Sequence, residues 1–293
     1  MNQVIKEKII VFFLALCALI TVLTTAGILY VLISESIIFF SQVSIIDFLT
    51  DTQWTPLFAD KHFGIMPLLA GTLLTSFIAI AVALPIGLTI AIYLNEYAHR
   101  NFKTIIKPIL ELLAAVPTVV YGFFALTVVT PFLQTLIPTM SGFNSLSAGF
   151  VMGIMIIPYI SSLSDDAIAA VPVSLRHASL ALGASRLQTA FRVIIPSAAS
   201  GIIVSIILAI SRAVGETMIV AVAAGQQPRL TANPLVPIET ITTYIVQISL
   251  GDVPQNSLEY RTIFAAGITL FVFTFLLNNI GYWFNKKFHR KYE

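Results

Sequence analysis

Two charged residues, Arg212 and Glu216, lie inside an otherwise uncharged apolar stretch at residues 193–228. On a continuous helix residues four apart share a face, so Glu216 would compensate the charge of Arg212. A charge near the middle of a bilayer is costly unless it is paired or lines water. A guanidinium also offers a fork of donors that matches an oxyanion. The pair therefore predicts either an anion site in a membrane or a purely structural salt bridge.

The composition around these residues is that of a membrane protein. Of the 293 residues, 57% are hydrophobic and 10% are charged, whereas about 25% of an average soluble domain is charged. This composition excludes a water-soluble globule. The net charge of +2 gives no indication of nucleic-acid binding. Cys17 is the single cysteine, which excludes a disulfide within the chain and a cysteine-based metal site.

Uncharged stretches locate the membrane spans, because a helical span needs about 20 mostly apolar residues. They predict an all-α polytopic membrane protein, a single domain over residues 1–293, with about six transmembrane helices. The predicted spans are 9–33, 66–94, 109–131, 146–168, 199–225 and 262–284. The first is longer than a signal-peptide core and no A-x-A cleavage site follows it, so we expect it to be retained.

The distribution of Lys and Arg predicts the orientation. Twelve of the sixteen lie in the segments that six spans would place on the same side as both termini. Positive residues are enriched on the cytoplasmic side. We therefore expect both termini and the loop 169–198 to be cytoplasmic, and the segments 34–65 and 226–261 to be external.

The loop 169–198 has a pattern of two short helices joined at a glycine. Ser174 is a candidate N-cap for a first helix that Gly183 would end, since glycine readily adopts the left-handed cap conformation. Ser185, followed three residues later by Gln188, is typical of a capping box that begins a second helix. The alternative is a plain amphipathic loop that lies on the lipid headgroups.

This loop resembles the coupling loop of ABC importer permeases, whose pattern is Glu-Ala-Ala, then Gly, then an apolar stretch ending in Pro. The matching residues here are His177-Ala178-Ser179, Gly183 and Val193-Ile194-Ile195-Pro196. The segments 63–67, 71–76, 91–97, 116–122 and 212–218 resemble the permeases of the Pst phosphate transporter. The last of them, Arg-Ala-Val-Gly-Glu-Thr-Met, is most similar to the PstC-type subunit.

The resemblance implies half of the translocation path of an ATP-driven phosphate importer in the cytoplasmic (inner) membrane of a prokaryote. The implied partners are a PstA-like second permease subunit, a PstB-like cytoplasmic ATPase, an external PstS-like phosphate-binding protein and the lipid bilayer. By this resemblance Arg212, Glu216 and Thr217 line the substrate path. The implied ATPase-coupling residues are Arg176, His177, Ala178, Ser179, Ala181, Leu182 and Gly183.

One residue departs from the family pattern, because His177 stands where the family has Glu. That Glu would complete a capping box with Ser174, and a histidine cannot return a carboxylate to the start of the helix. We still expect this loop to dock on the ATPase. A solvent-exposed position that tolerates many residues is the alternative interpretation of His177.

The sequence predicts no catalytic, cofactor or metal site in this chain. The phosphate-binding loop of ATPases needs G-x-x-x-x-G-K-[ST], and the dipeptide Gly-Lys is absent. The four histidines include no pair with helical i, i+4 spacing for a metal. ATP and Mg²⁺ would therefore be bound by the partner ATPase.

Three alternatives remain open. An ABC permease could import another oxyanion, such as sulfate, molybdate or phosphonate. A secondary transporter would normally show an internal repeat of its spans, and we find no convincing one. A membrane scaffold would have no reason to carry Arg212 and Glu216 within a span.

Overall fold

The computed structural model describes residues 2–289, and every regular element within that range is a helix. In chain order the helices are α1 (Asn2–Phe40), α2 (Ile45–Thr50), α3 (Met66–Glu96), α4 (Arg100–Ala115), α5 (Thr118–Leu136), α6 (Ser145–Ala169), α7 (Val173–Ala181), α8 (Arg186–Ser197), α9 (Ala199–Val214), α10 (Met218–Ala223), α11 (Ile241–Leu250) and α12 (Leu258–His289). The helices α5 and α8 each contain a five-residue π-helical segment. The predicted all-α class is confirmed.

Five of the helices are long and apolar enough to cross a membrane: α1, α3, α5, α6 and α12. A sixth span exists if α8 and α9 are counted together, although they meet at an angle of 72°. The predicted number of about six spans is therefore confirmed. The predicted spans 66–94 and 146–168 lie within α3 and α6 with almost the same bounds.

The predicted third span, 109–131, was wrong. The chain leaves the helical conformation at Val116 and Pro117, where a separate helix, α4, ends before the spanning helix α5 begins. A residue before proline is disfavoured in the helical region, and Val116 is accordingly extended, with φ −63° and ψ 130°. The helix α4 is amphipathic and includes Lys103, Lys107 and Glu111, so it is not part of a span.

The predicted fifth span, 199–225, is not a continuous helix. The helix α9 ends at Val214, three residues follow without helical structure, and α10 then begins at Met218. Gly215 is the residue after α9, and glycine is the weakest helix former after proline. We call residues 215–217 the break.

The coupling loop, residues 169–198, has the predicted two helices and glycine corner. Gly183 has φ +81° between α7 and α8, and both hydrogen bonds of the Ser185–Gln188 capping box are present. The prediction that Ser174 is the N-cap of α7 was wrong. Pro172 holds that position with extended backbone, because its ring fixes φ near the required value and it has no N–H to satisfy.

The core forms where α3 packs along α6. Small residues permit this close approach, as is common between membrane helices. A Cβ atom added at Gly149 would lie 2.8 Å from the Ile78 side chain, and one at Gly153 would lie 2.8 Å from Val82. The helix α9 packs against both α6 and α12. This arrangement places the break beside the core helix α6.

Candidate functional site

The break separates the two residues that the sequence suggested as a pair. Arg212 lies in the last turn of α9, whereas Glu216 follows the end of that helix. The backbone N–H of Glu216 donates to the Ala213 carbonyl at 3.2 Å, which tightens the chain after the helix. The expectation that Arg212 and Glu216 share one face of a continuous helix was therefore wrong.

The side chain of Glu216 points to the next helix instead. It is buried, with 8% exposure, and its Oε1 atom accepts hydrogen bonds from the backbone N–H of Met218 at 3.1 Å and of Ile219 at 3.4 Å. The hydroxyl of Thr242 donates to the Glu216 carbonyl at 2.7 Å. A carboxylate at a helix start satisfies unpaired N–H groups and interacts favourably with the helix dipole. Glu216 thus holds the break in shape.

The guanidinium of Arg212 lies over an aromatic ring. Its guanidinium carbon lies 4.3 Å from the centroid of the Tyr159 ring on α6. A cation over an aromatic face is stabilised by the ring quadrupole. The Nε atom of Arg212 is buried and has no hydrogen-bond partner. Among the residues whose side chains the structure describes, no carboxylate lies within ion-pair distance of Arg212.

These contacts decide what the break can do chemically. The carboxylate of Glu216 is already engaged with α10, so the expected compensation of Arg212 by Glu216 is absent. Thr217 is half-buried beside them, and its hydroxyl lies 3.4 Å from the Gly215 carbonyl. A half-buried guanidinium without a resident anion retains its capacity to bind one. The arrangement is therefore suited to a transient oxyanion.

The coupling-loop residues separate into two groups. His177, Ala178, Ala181, Leu182 and Gly183 are exposed. Leu182 is 89% exposed, and Leu175, Leu180 and Leu187 of the same loop are exposed as well. A group of exposed apolar side chains is typical of a surface that another protein covers.

The remaining two members of that loop point inward. The Ser179 hydroxyl lies 2.9 Å from the Thr189 hydroxyl and joins α7 to α8. The guanidinium of Arg176 forms an ion pair with Glu96 at 2.9 Å and donates to the Asn95 side chain at 2.6 Å. The sequence analysis counted both among the ATPase-coupling residues, whereas their side chains connect the loop to the rest of the chain.

Several residues around these sites were missed. Tyr159 lies next to an in-span proline, and Thr242 lies in a predicted external segment. No local pattern marks either of them. Asn95 and Glu96 fall within the segment 91–97, which resembles the family but did not indicate what these two residues do. Asp165 is the first charged residue after the long uncharged stretch 112–164, and no sequence pattern indicated a role for it.

A compact charged segment lies at the opposite end of the molecule from the coupling loop. The His62 Nδ1 atom is 2.8 Å from the Asp51 carboxylate, and its Nε2 atom is 3.5 Å from Asp60. The hydrogen bond to Asp51 raises the pKa of His62. Burial alone would raise the pKa of Asp51, but the hydrogen bonds from His62 and from the Gln53 N–H outweigh it and lower that pKa.

The fold and the site together define a multi-helical membrane protein with a break in one span and an exposed loop of two short helices around Gly183. Residues 83–291 match the family described as "Binding-protein-dependent transport system inner membrane component". This chain belongs to that family, the permeases of ABC importers, and is a multi-pass inner-membrane transport subunit.

Curated relatives cover most of the chain. The probable ABC transporter permease protein YqgH of Bacillus subtilis is 35% identical over 89% of this chain and 84% of its own length. The phosphate transport system permease protein PstC of Xylella fastidiosa is 33% identical over 80% and 76%. PstC of Mesorhizobium japonicum is 34% identical over 78% and 75%.

Solved structures share the fold at low identity. The MetNI methionine ABC transporter in an inward-facing form matches with a TM-score of 0.56 and 17% identity, over 77% of this chain and 94% of that chain. A bacterial ABC transporter that imports the acidic polysaccharide alginate matches with a TM-score of 0.57 and 16% identity, over 90% and 96%. These likenesses support the helical arrangement alone.

Proposed function

We propose that this chain is the PstC-type permease subunit of an ATP-driven phosphate importer and forms half of the translocation path. Relatives named as phosphate permeases match it over more than three quarters of its length. The observation that carries the proposal is Arg212, a guanidinium at a break within a membrane span, with no described carboxylate to neutralise it.

In this proposal Arg212 is the group that meets the anion. Between transport events the Tyr159 ring stabilises the guanidinium, so the cation is not left bare in a low dielectric. When phosphate arrives, its oxygens accept hydrogen bonds from the guanidinium fork. Glu216 caps α10 and keeps the break in shape, and Thr217 lies beside the path. A single arginine gives weak binding, which a transport pathway needs if it is to release its cargo.

The proposal also states which end of the molecule is cytoplasmic and which is external. Both termini and the coupling loop are cytoplasmic, in accordance with the Lys and Arg distribution. The exposed residues around Leu182 dock on a PstB-like ATPase, which binds ATP and Mg²⁺. A PstA-like second permease subunit completes the path. The segments 34–65 and 226–261 face a PstS-like phosphate-binding protein outside.

The test is phosphate uptake by the reconstituted importer, with both permease subunits, ATPase and binding protein in liposomes. Arg212→Gln removes the charge and should lower uptake about 100-fold, the effect of losing hydrogen bonds to a charged group. Arg212→Lys keeps the charge but loses the bidentate fork, so uptake should also fall, though less. Arg229→Gln is the matched control, because Arg229 is an exposed arginine outside the spans.

Three outcomes would contradict the proposal. Wild-type uptake by Arg212→Gln would show that Arg212 does not meet the anion. Equal loss in Arg229→Gln, with binding of the PstS-like protein retained, would show an unspecific effect of arginine removal. Sulfate uptake at the wild-type phosphate rate would assign the importer to another oxyanion. Complex yield is measured for each variant, so that failed assembly is distinguished from failed transport.

A further inference from the structure

A polar cluster at the base of the coupling loop joins four helices. Its centre is the Asp165 carboxylate on α6, whose side chain is 2% exposed. Lys103 Nζ lies 2.9 Å from one carboxylate oxygen and Lys107 Nζ lies 2.7 Å from the other. Both lysines belong to α4. One buried carboxylate therefore attaches the whole amphipathic helix to α6.

Asn95, near the end of α3, connects this centre to the coupling loop. Its amide nitrogen donates to Asp165 Oδ1 at 3.1 Å, and its amide oxygen accepts from Arg176 of α7 at 2.6 Å. Arg176 also donates to the Ile168 carbonyl at 3.3 Å. An amide has a donor at one end and an acceptor at the other. It is thus suited to lie between a carboxylate and a guanidinium.

Two of the four helices, α4 and α7, have little buried surface of their own. No residue of α7 is buried, and none is buried among the described side chains of α4. A helix in a folded protein normally owes its position to a buried apolar face. The polar contacts of Asp165, Asn95 and Arg176 therefore contribute to the position of both helices. Other contacts add to them: α4 also has the Tyr93–Phe102 ring contact and the Tyr121 hydroxyl on the Leu113 carbonyl. The helix α7 also has the Arg176–Glu96 ion pair and the Ser179–Thr189 contact.

The same helix α6 leads from the cluster to the Arg212 site. Tyr159, which packs on the Arg212 guanidinium, precedes Asp165 by six residues on α6. A cavity of about 260 Å³ lies between α4 and α6, and both Tyr159 and Asp165 line it together with Lys107. Displacement of α4 or of this part of α6 would consequently reach the ring that positions Arg212.

We propose that Asp165 and Asn95 are positioning residues for ATP-driven transport, which fasten the coupling helix α7 and the helix α4 to α6. Movement of α7 by the docked ATPase then reaches α6 and the Arg212 site through this cluster. The inference rests on the proposed function, since it requires that an ATPase moves α7. A buried ion pair contributes little net stability compared with apolar residues of the same volume, so we assign the cluster to holding α4 and α7 in a fixed position for the transmission of movement rather than to stabilisation of the fold.

The experiment measures ATP hydrolysis and phosphate uptake in the same liposomes containing the complete importer. Asn95→Leu keeps the side-chain size but removes both hydrogen-bonding ends. It should leave ATP hydrolysis within about twofold of wild type and lower the phosphate taken up per ATP about tenfold, the effect of one lost hydrogen bond to a charged group. Asp165→Asn should act in the same direction. Asp165→Glu, which retains the charge, should restore most of the ratio.

Asp166→Asn is the matched control, because Asp166 is the next residue, is 69% exposed and lies 3.9 Å from Lys107. It should leave the ratio unchanged. An unchanged ratio in both Asn95→Leu and Asp165→Asn would overturn the inference. A parallel loss of hydrolysis and uptake would also overturn it, since that result indicates lost docking. If Asp165→Asn does not assemble, Asn95→Leu decides alone. Failure of the proposed function would give a different result from failure of this inference, because the wild-type importer itself would then take up no phosphate.

Discussion

The polar cluster around Asp165 and the break beside Arg212 differ in whether the protein supplies a counter-charge to a buried or half-buried charged side chain. Asp165 has two lysines and an amide within hydrogen-bonding distance. Arg212 lies over an aromatic ring, and no carboxylate among the described side chains is within ion-pair distance of it. A buried charge that the chain neutralises itself can hold helices together, whereas one left without a counter-ion is available to a passing anion.

Arg212 lacks a described counter-charge because the helix is interrupted at residues 215–217, and not because no carboxylate is near it in the sequence. Glu216 is close to Arg212 in the sequence, and on a continuous helix it would have neutralised it. The break turns Glu216 toward the N–H groups of Met218 and Ile219. The capacity of Arg212 to bind an anion therefore depends on the direction of the Glu216 side chain.

The largest effect should come from giving Arg212 the resident counter-ion that it lacks. Tyr159→Glu places a carboxylate where the ring now lies and makes the break resemble the Asp165 cluster. Phosphate would then have to displace a charge-assisted partner worth about 2–3 kcal/mol. Uptake should fall about 100-fold while complex yield is retained.

Tyr159→Gln is the control for the loss of the ring alone. It should lower uptake much less, because the ring contributes about 1 kcal/mol to the cation. Equal uptake by Tyr159→Glu and Tyr159→Gln, measured in reconstituted liposomes, would remove the distinction between the two regions.

The next effect should come from the cytoplasmic side, at the glycine corner. Gly183 has φ +81° and a Cβ atom added there would meet nothing within 4 Å. Gly183→Val therefore acts through the backbone alone, at about 1–2 kcal/mol for the left-handed conformation. Binding of the ATPase to the solubilised permease pair should weaken about tenfold.

Gly142→Val is the matched substitution for this test. Gly142 also has open space around its Cβ position, but its φ is not in the left-handed region. It should leave ATPase binding unchanged. If both variants bind the ATPase as wild type does, the corner does not shape the docking surface.

A smaller effect should come from Glu216, whose role at the break is capping. Glu216→Leu removes the acceptor for two N–H groups and should lower the stability of the permease pair by about 1 kcal/mol, measured as its thermal unfolding midpoint. Glu216→Gln keeps an acceptor oxygen and should change it less.

The double variant Arg212→Gln with Glu216→Gln separates capping from pairing. Because the two side chains are not partners, their effects on stability should add within about 0.5 kcal/mol. Uptake by the double variant should stay as low as uptake by Arg212→Gln alone. Recovery of both assembly and uptake would show that they form a salt bridge.

The smallest effect should appear at the opposite end of the molecule, where the charges are exposed and titrate. The pKa of His62 is raised above its ordinary value of 6.5, so its stabilising pair with Asp51 is fully present below that value. The stabilisation is lost as the pH rises through the raised pKa of His62. The pair would also be lost in acid, below the lowered pKa of Asp51.

Amide hydrogen exchange of residues 51–64, corrected for the intrinsic rate, should therefore be faster at about pH 8 than at about pH 6. The hydrogen bond between the Thr55 N–H and the His62 carbonyl, at 2.9 Å, reports on this segment. His62→Gln should abolish the difference. The same pH dependence in His62→Gln would assign it to another group.

Local patterns in the sequence determined much of the fold. Long apolar stretches predicted α3 and α6 almost to the residue, because a span must satisfy its backbone hydrogen bonds internally. Gly183 and the Ser185–Gln188 capping box were also correctly predicted. Each of these depends on neighbours within a few positions of the chain. The family-like segments added the class of protein and its cargo.

The bounds of the third and fifth spans could not be predicted from local sequence patterns. Hydropathy does not distinguish the end of α4 from the start of α5, since both sides of Pro117 are apolar. The break at Gly215 depends on contacts from elsewhere, among them the Thr242 hydroxyl on the Glu216 carbonyl. An i, i+4 spacing predicts a shared face only while the helix continues.

Tertiary structure alone decided which charges meet. Asn95 and Asp165 are 70 positions apart, and Arg176 reaches Asn95 across 81 positions. Tyr159 comes to Arg212 because α6 and α9 pack side by side. Composition and spacing identified the ionisable residues within apolar stretches, but the free energy of a buried charge depends on the atoms within a few ångströms of it. Those atoms come from distant parts of the chain, so only the folded structure shows that Asp165 is neutralised and that no described carboxylate reaches Arg212.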